Sequence, residues 1–403
     1  MKIAIVGAGA AGMFCALNLD TKKHQVTVFE KNSDTLKKLL ITGHGRCNVT
    51  NLKSSIDFLE NVPHNKQFLY SALNMFTPYN MVEFLNINNV ETICEKGDRV
   101  FPKTNKAKTI KNCFDNLTLG SIALETAVLN IAKKDNQFVL ETNKGTYNFD
   151  AVVIATGGVT YPTTGSTGDG FKFAKGFNID VLKPRSSLCG IRLVDVPKNL
   201  EGTPINSKLS VVNKGKIIAT NKGEFLFTSF GVSGPNVFTL TSKIEEYSIN
   251  GFELILDLLE THTKENLILK LKEFSKNNPK KHIFYAVNSL VNLKLSKLVL
   301  SKCGIEESKQ CANISNVEYN KIAETLKALT FKIENFDNIE CSTITRGGVN
   351  VKEINPKTME SKKESNLYFI GEVIDVDGFT GGYNLQIAFS TAFVCAKHLN
   401  EIA

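Results

Sequence analysis

Residues 2–19, KIAIVGAGAAGMFCALNL, change character at a run of glycines. Ile3 to Val6 is a short, largely β-branched run of the kind that forms a buried strand. Gly7, Gly9 and Gly12 follow as G-x-G-x-x-G, and Met13 to Leu19 read as a helix. A second strand-like run, QVTVFEK at 25–31, brings Glu30 eighteen residues after Gly12. Strand, glycine turn, helix, strand and acid in this order are what a dinucleotide site requires. Gly7 permits the tight turn, Gly9 admits a pyrophosphate, and Gly12 lets the helix lie close to the strand. Ala10 and Ala11 open that helix, whose N-terminal N–H groups and partial positive charge suit phosphates. Glu30 can accept hydrogen bonds from both hydroxyls of an adenosine ribose. An acid there opposes a 2′-phosphate, which leaves FAD or NAD rather than NADP.

Working outward, YNFDAVVIATGGVTYPTTGSTGDG (147–170) places a buried strand, Ala151 to Ala155, directly before Thr156-Gly157-Gly158. Such a strand returns the chain to the cofactor at the carboxyl edge of the sheet. Residues 122–150 read as a meander with a turn at Asn143-Lys144-Gly145, and put Val128 within reach of an adenine edge. Near the C-terminus, NLYFIGEVIDV (366–376) is a strand delivering Gly371-Glu372, and Gly381-Gly382-Tyr383-Asn384 opens a final helix. This is the pattern of glutathione-reductase-like flavoproteins, in which a Gly-acid pair at this place holds the ribityl chain. The helix N-terminus then stabilises negative charge on the reduced ring.

Five stretches extend the likeness along the chain: KKLLITGHGRCNVTN (37–51), RVFPKTNKA (99–107), VIATGGVTYPTTGSTGDGFKFAK (153–175), GEFLFTSFGVSGP (223–235), and GGVNVKEINPKTMESK (347–362) with GEVIDVDGFTGGYNLQIAFSTA (371–392). Together they resemble the HI0933-like flavoproteins, a family that includes aminoacetone-oxidase-like and BaiN-like enzymes. The resemblance implies tightly bound FAD, a flavin domain split in sequence and an inserted second domain. It places Ala11, Glu30 and Lys31 against the adenosine half. Arg46, Cys47 and Asn48 fall in the GRCN loop beside the cofactor, and Gly371, Glu372, Asp377, Gly382, Asn384 and Leu385 in the closing flavin loop. Family members often have glycine where this chain has His44.

Several of these residues have plainer readings. Arg46 suits a phosphate clamp or is a surface arginine in a loop. Cys47 is a redox thiol or a small buried residue, and no resolving cysteine stands nearby. His44 is a proton donor or a turn residue. Tyr161 and Tyr383 offer hydroxyls to the flavin or wall the pocket. Asp375 and Asp377 cap turns or touch the cofactor, with Asp377 the one favoured for contact. Arg99, Lys103 and Lys106 form a positive loop that attracts an anionic substrate or is simply solvated.

The expected fold is α/β: a Rossmann-like, glutathione-reductase-like FAD domain over 1–187 and 336–403, interrupted by a substrate or cap domain over 188–335. Alternating strands with turns at Lys214-Gly215 and Lys222-Gly223 make 188–262 β-rich, and Lys/Leu spacing such as KENLILKLKEF makes 263–335 helical. The formal net charge is +8. Lys264 to Lys302 holds nine lysines against Glu265 and Glu273, a solvated helix face or a nucleic-acid or membrane patch. Nine scattered cysteines without C-x-x-C or zinc-ligand spacing suggest free thiols in a reducing cytoplasm, and no metal. No signal peptide or apolar membrane span is expected.

The chemistry expected is hydride transfer between flavin N5 and a small organic substrate, with the protein supplying orientation and electrostatics. Without a second G-x-G-x-x-G unit, NAD(P)H would bind only transiently at the flavin face; O2 is the other partner for turnover. An RNA-acting flavoprotein resembling tRNA-modifying enzymes, with 264–302 as its RNA surface, is one rival. A flavin-binding protein without turnover is another. Substrate, proton donor and oligomeric state are not legible.

Overall fold

Five parallel strands form the centre of one unit of the chain: β1 (Lys2–Val6), β2 (Gln25–Phe29), β3 (Ser121–Ala123), β4 (Ala151–Ile154) and β5 (Leu367–Phe369). Their order is β5-β4-β1-β2-β3. Ile3 pairs with Val26 on one side and Ala151 on the other, and Val152 pairs with Leu367. The computed structural model describes residues 1–244, 249 and 251–402. They fall into two compact units, Met1–Ser187 with Ile339–Ala403, and Leu188–Asn338.

The sheet is parallel because β1 and β2 are joined by a right-sized crossover, helix α1 (Ala10–Asn18). All four residues of β4 are fully buried, as expected for a strand covered on both faces. Strand order reverses at β1, with the chain's next strand on one side and a much later one on the other. A crevice at the carboxyl ends is the consequence of that reversal.

One layer beside the sheet contains α1 and the C-terminal helix, Tyr383–Glu401. Phe14 of α1 is fully buried at its centre. Its ring lies 5.1 Å from those of Phe76 and Phe389, 5.3 Å from Phe84 and 5.6 Å from Phe114. The expected meander is an antiparallel sheet of Val128–Lys134, Gln137–Thr142 and Gly145–Phe149, and its second turn falls at 143–144. Val181–Ser187 and Ile344–Val349 form an antiparallel pair immediately before and shortly after the second unit in sequence.

The second unit is a closed six-stranded barrel, in the order Ile191–Leu193, Gly231–Ser233, Lys216–Phe227, Pro204–Asn213, Phe252–Asp257 and Leu329–Phe336. Reading 263–335 as helical throughout fails at its end. Leu329–Phe336 is a strand, because Leu329, Phe331 and Ile333 alternate inward and the strand pairs with both Phe252–Asp257 and Ile191–Leu193 to close the barrel. The helices α2 (Lys264–Asn277), α3 (Ile283–Asn288), α4 (Leu293–Cys303) and α5 (Asn316–Lys327) lie between two barrel strands in sequence.

Replacing Phe14 by Ala empties the aromatic centre of the first unit. A loss of about 3–5 kcal/mol is expected, measured by chemical denaturation followed through the first unit's tyrosines.

Candidate functional site

The crevice is a cavity of about 220 Å³. Its floor is the β1–α1 turn, and its walls come from the ends of β2 and β4, the segment after β5 and the start of the C-terminal helix. Twelve of the residues expected at a cofactor line it: Gly7, Gly9, Ala10, Ala11, Glu30, Lys31, Val128, Thr156, Gly157, Glu372, Asn384 and Leu385. They come from segments more than 350 residues apart in the chain, which the parallel sheet assembles.

The three glycines of the first motif do different work. A Cβ on Gly7, at φ +107°, would stand 2.6 Å from the Ala155 carbonyl oxygen. One on Gly12 would stand 1.9 Å from the Gly7 carbonyl oxygen, so both positions are required by packing. A Cβ on Gly9 would meet nothing within 4 Å. Nothing in the protein requires glycine there, and the open space is the cavity. Gly9 is also the N-cap of α1 and no side chain caps the first turn, leaving its N–H groups for a ligand. Thr156 Oγ1, buried at the cavity wall, has no hydrogen-bond partner among the described residues. These features fit a dinucleotide.

Glu30 is pre-organised. Its Oε2 accepts from Ala8 N–H at 2.9 Å, and its Oε1 accepts from Asn32 N–H at 2.9 Å and Asn32 Nδ2 at 2.7 Å. A carboxylate with about four lone-pair directions keeps room for a further donor. The Lys31 ammonium is committed to Asp169 Oδ2 at 2.7 Å, an acid that also lines the cavity. Asn384 closes the loop before the last helix, accepting from Gly378 N–H and donating to Gly378 O, each at 2.8 Å.

Eight expected residues do not line the cavity. Gly12 is a packing residue, as are Gly158, whose Cβ would stand 2.1 Å from Thr345 Oγ1, and Gly371, whose Cβ would stand 2.8 Å from the Ala11 Cβ. Gly382 adopts φ +97° as the N-cap of the last helix against the Thr50 carbonyl. Arg46 is not free to clamp phosphate: its guanidinium lies 4.1 Å from the Phe101 ring centroid, donates to Asn105 Oδ1 and is paired with Glu95. Asp377, favoured for cofactor contact, is instead fully buried against Arg346 at 3.1 Å and accepts from Ser187 Oγ at 2.8 Å. Cys47 is fully buried in a left-handed conformation, φ 61°, and burial pushes its thiol up to about 12. Asn48 Oδ1 is buried without a partner among the described residues, and sits 2.9 Å from where a Gly382 Cβ would be.

Other candidates also find structural explanations. His44 is exposed at φ 57°, a left-handed conformation that costs glycine nothing. Tyr383 packs edge-on to Phe58 at 4.9 Å, and burial pushes its hydroxyl up to about 12. Asp375 accepts from Gly347 N–H at 2.9 Å and Asn65 Nδ2 at 2.8 Å, while burial raises its carboxyl above the usual range. Lys103 of the positive loop pairs with Glu91 at 2.6 Å.

Lys38 is the residue that sequence reasoning missed. It lines the cavity and donates to Glu372 Oε2 at 2.7 Å and Thr160 Oγ1 at 2.6 Å, while Glu372 Oε1 accepts from Thr345 N–H at 3.0 Å. The acid expected at the ribityl chain is thus held in place by a lysine 334 residues away in sequence. Its only local signal was a position in the KKLL run, which any amphipathic helix shows.

A model of the family described as HI0933-like protein Rossmann domain matches residues 1–398. The chain belongs to the HI0933-like family. It is a flavoprotein oxidoreductase with a Rossmann FAD-binding fold. A ribosomal RNA dihydrouridine synthase of Haemophilus influenzae is 32% identical over 406 residues, covering 98% of each chain. A 3-dehydro-bile acid delta(4,6)-reductase of Clostridium scindens is 24% identical over 410 residues, covering 99% of each. Among solved structures, 3-ketosteroid delta1-dehydrogenase from Sterolibacterium denitrificans superposes with a TM-score of 0.54 at 14% identity, covering 100% of this chain and 99% of that one; it shares the fold. No helix among the described residues of this HI0933-like protein is long and apolar enough to cross a membrane.

Gly9→Ala is expected to leave the melting temperature of the flavin-free protein unchanged while weakening FAD binding at least tenfold, about 1.4 kcal/mol. Gly12→Ala is expected to prevent folding, and flavin titration with thermal melts of both proteins checks the contrast. Timed alkylation at pH 7.5, read by mass spectrometry, should label exposed Cys94 and Cys341 rapidly and Cys47 only on unfolding.

Proposed function

We propose that this protein is an FAD-dependent reductase that saturates a carbon–carbon double bond conjugated to a carbonyl, with the uracil ring of RNA as its substrate. The carrying observation is the cavity at the β1 switch point, with its ligand-ready Gly9 turn and fixed Glu30 and Glu372. FAD, when bound there, supplies a hydride. Support for the acceptor comes from two relatives that act on different molecules by one chemistry. Dihydrouridine is uridine with its C5=C6 bond reduced, and that bond is conjugated to the C4 carbonyl. A delta(4,6)-reductase of a 3-dehydro-bile acid likewise reduces double bonds conjugated to a ketone. For uridine, the hydride would add to electron-poor C6 and a proton to C5, beside the C4 carbonyl.

The chain's own residues have defined tasks in this reading. The N-terminus of α1 meets the pyrophosphate, Glu30 accepts from the ribose, and the Lys38–Glu372–Thr160 cluster holds the ribityl side. The Lys38 ammonium neutralises Glu372 at 2.7 Å, so the acid at the cavity wall carries no uncompensated negative charge. Leu36, Leu39 and Phe173 give that wall an apolar, water-excluding part. Cys47, beside this region in sequence, is fully buried, and burial pushes its thiol up to about 12, so it is held as a thiol. The delta(4,6)-reductase relative favours a second reading, a small conjugated ketone in place of uridine.

Under anaerobic conditions, NADH and NADPH are each mixed with the flavin-loaded protein. The reduced protein is then given a uridine-rich ribosomal RNA fragment or a steroid enone. Flavin re-oxidation by the RNA, with a mass gain of one hydride and one proton per modified uridine, is expected. Re-oxidation by the enone alone would move the substrate to small ketones. Re-oxidation by O2 alone would make the protein an oxidase and overturn the proposal.

A further inference from the structure

The second unit has a sharply divided charge distribution. Between Phe274 and Ile305 there are six lysines and no aspartate or glutamate. All six (Lys276, Lys280, Lys281, Lys294, Lys297 and Lys302) are exposed. Among the described residues, only Lys297 has a carboxylate within 4.0 Å, Glu307 at 3.5 Å. Several of the unit's acids serve other lysines: Glu260 pairs with Lys222, Glu318 with Lys309 and Asp257 with Lys327. A solvated helix face normally mixes both signs and pairs them. Five cations left without counter-charge form a field that attracts a polyanion.

The same surface presents rings. Tyr285, at the start of α3, is 52% exposed, and its ring centroid lies 6.3 Å from that of exposed His282. His282 follows Lys281 directly, and Tyr285 comes three residues later. Helix α3 packs on α2 and on α4, so the α2–α3 corner and the Lys294 and Lys302 side of α4 belong to one helical group. Lys294 Nζ is steadied by Thr203 Oγ1 at 3.0 Å, and Lys302 Nζ sits 5.5 Å from the Phe331 ring centroid. Cations interleaved with exposed rings suit a nucleic acid strand, whose phosphates release counterions and whose unpaired bases stack. A membrane surface would instead favour a broad apolar face beside the cations, whereas from Lys276 to Lys302 the exposed large apolar side chains are Tyr285 and Leu293.

We propose that the lysine-rich face of α2–α4 docks RNA. Lys276, Lys280, Lys281, Lys294 and Lys302 hold its phosphates, and Tyr285 offers a stacking face to an unpaired base. This rests on the reading of the protein as an RNA-acting reductase. It adds that substrate affinity comes from backbone charge on the second unit, separate from the flavin cavity residues.

The test uses the flavin-loaded full chain, a fluorescein-labelled RNA hairpin with a uridine loop, and vesicles with and without anionic lipid. The triple variant Lys280→Ala/Lys281→Ala/Lys294→Ala is compared with wild type and with the Arg-for-Lys triple. At about 150 mM salt the alanine triple should bind RNA about tenfold more weakly, and its log affinity against log salt should flatten by about two. Flavin content should not change, and the arginine triple should keep wild-type affinity. Unchanged affinity and slope in the alanine triple, with RNA turnover intact, would overturn the docking face and leave the reductase reading standing. A wild type that binds no RNA yet reduces a steroid enone would overturn both. Binding to anionic vesicles, lost in the alanine triple while RNA binding stays, would assign the face to a membrane instead.

Discussion

The first unit depends on how closely α1 approaches the strands it connects. At Gly12 the approach leaves no room for a single carbon, since a Cβ would lie 1.9 Å from the Gly7 carbonyl oxygen. That contact sets the N-terminus of α1 at the carboxyl edge of β1, where β4 and β5 also end. It propagates further, because Gly371 after β5 meets α1 at Ala11, and Phe14 of α1 meets Phe389 of the last helix at 5.1 Å. The two ends of the crevice are therefore aligned by one small-residue packing, reinforced by a buried aromatic cluster.

On this frame the polar groups of the cavity are held before any ligand arrives. Glu30 is oriented by three N–H donors, and Glu372 by Lys38 and the Thr345 N–H. Charge-assisted bonds of this kind restrict rotamers, so less ordering remains to be done on binding. Two nearby charges go the other way. Arg46 and Asp377 are spent on internal partners, Glu95 and Arg346, and stabilise the loops that surround the crevice. A buried pair such as Arg346–Asp377 is costly to separate, because either partner alone would be an uncompensated buried charge.

The second unit separates its tasks by element. The barrel is closed by Leu329–Phe336, which buries an alternating set of side chains and removes free strand edges. The helices between its strands carry the unpaired lysines, on an element whose inward face, Leu267 and Leu271 on α2 and Leu295 and Val299 on α4, is fully or nearly fully buried. Charge on the outward face thus costs the fold little.

What the sequence determined by itself was the part governed by short-range sterics. The β-branched run, the glycine spacing and the acid at Glu30 specify strand, turn, helix and strand within thirty residues, and each of those choices is local. The Asn143-Lys144 turn, the strand before Thr156 and the strand ending at Gly371 were legible for the same reason, as was the family likeness along the chain. Tertiary structure alone decided which charged side chains face the cavity. Lys38 finds Glu372 at a separation of 334 residues, Arg46 is captured by Glu95, and Asp377 by Arg346. The strand Leu329–Phe336 likewise takes its identity from two distant barrel partners. Spacing specifies backbone because steric exclusion acts between neighbours, whereas the partner of a charge is set by whatever the finished packing brings within about 3 Å.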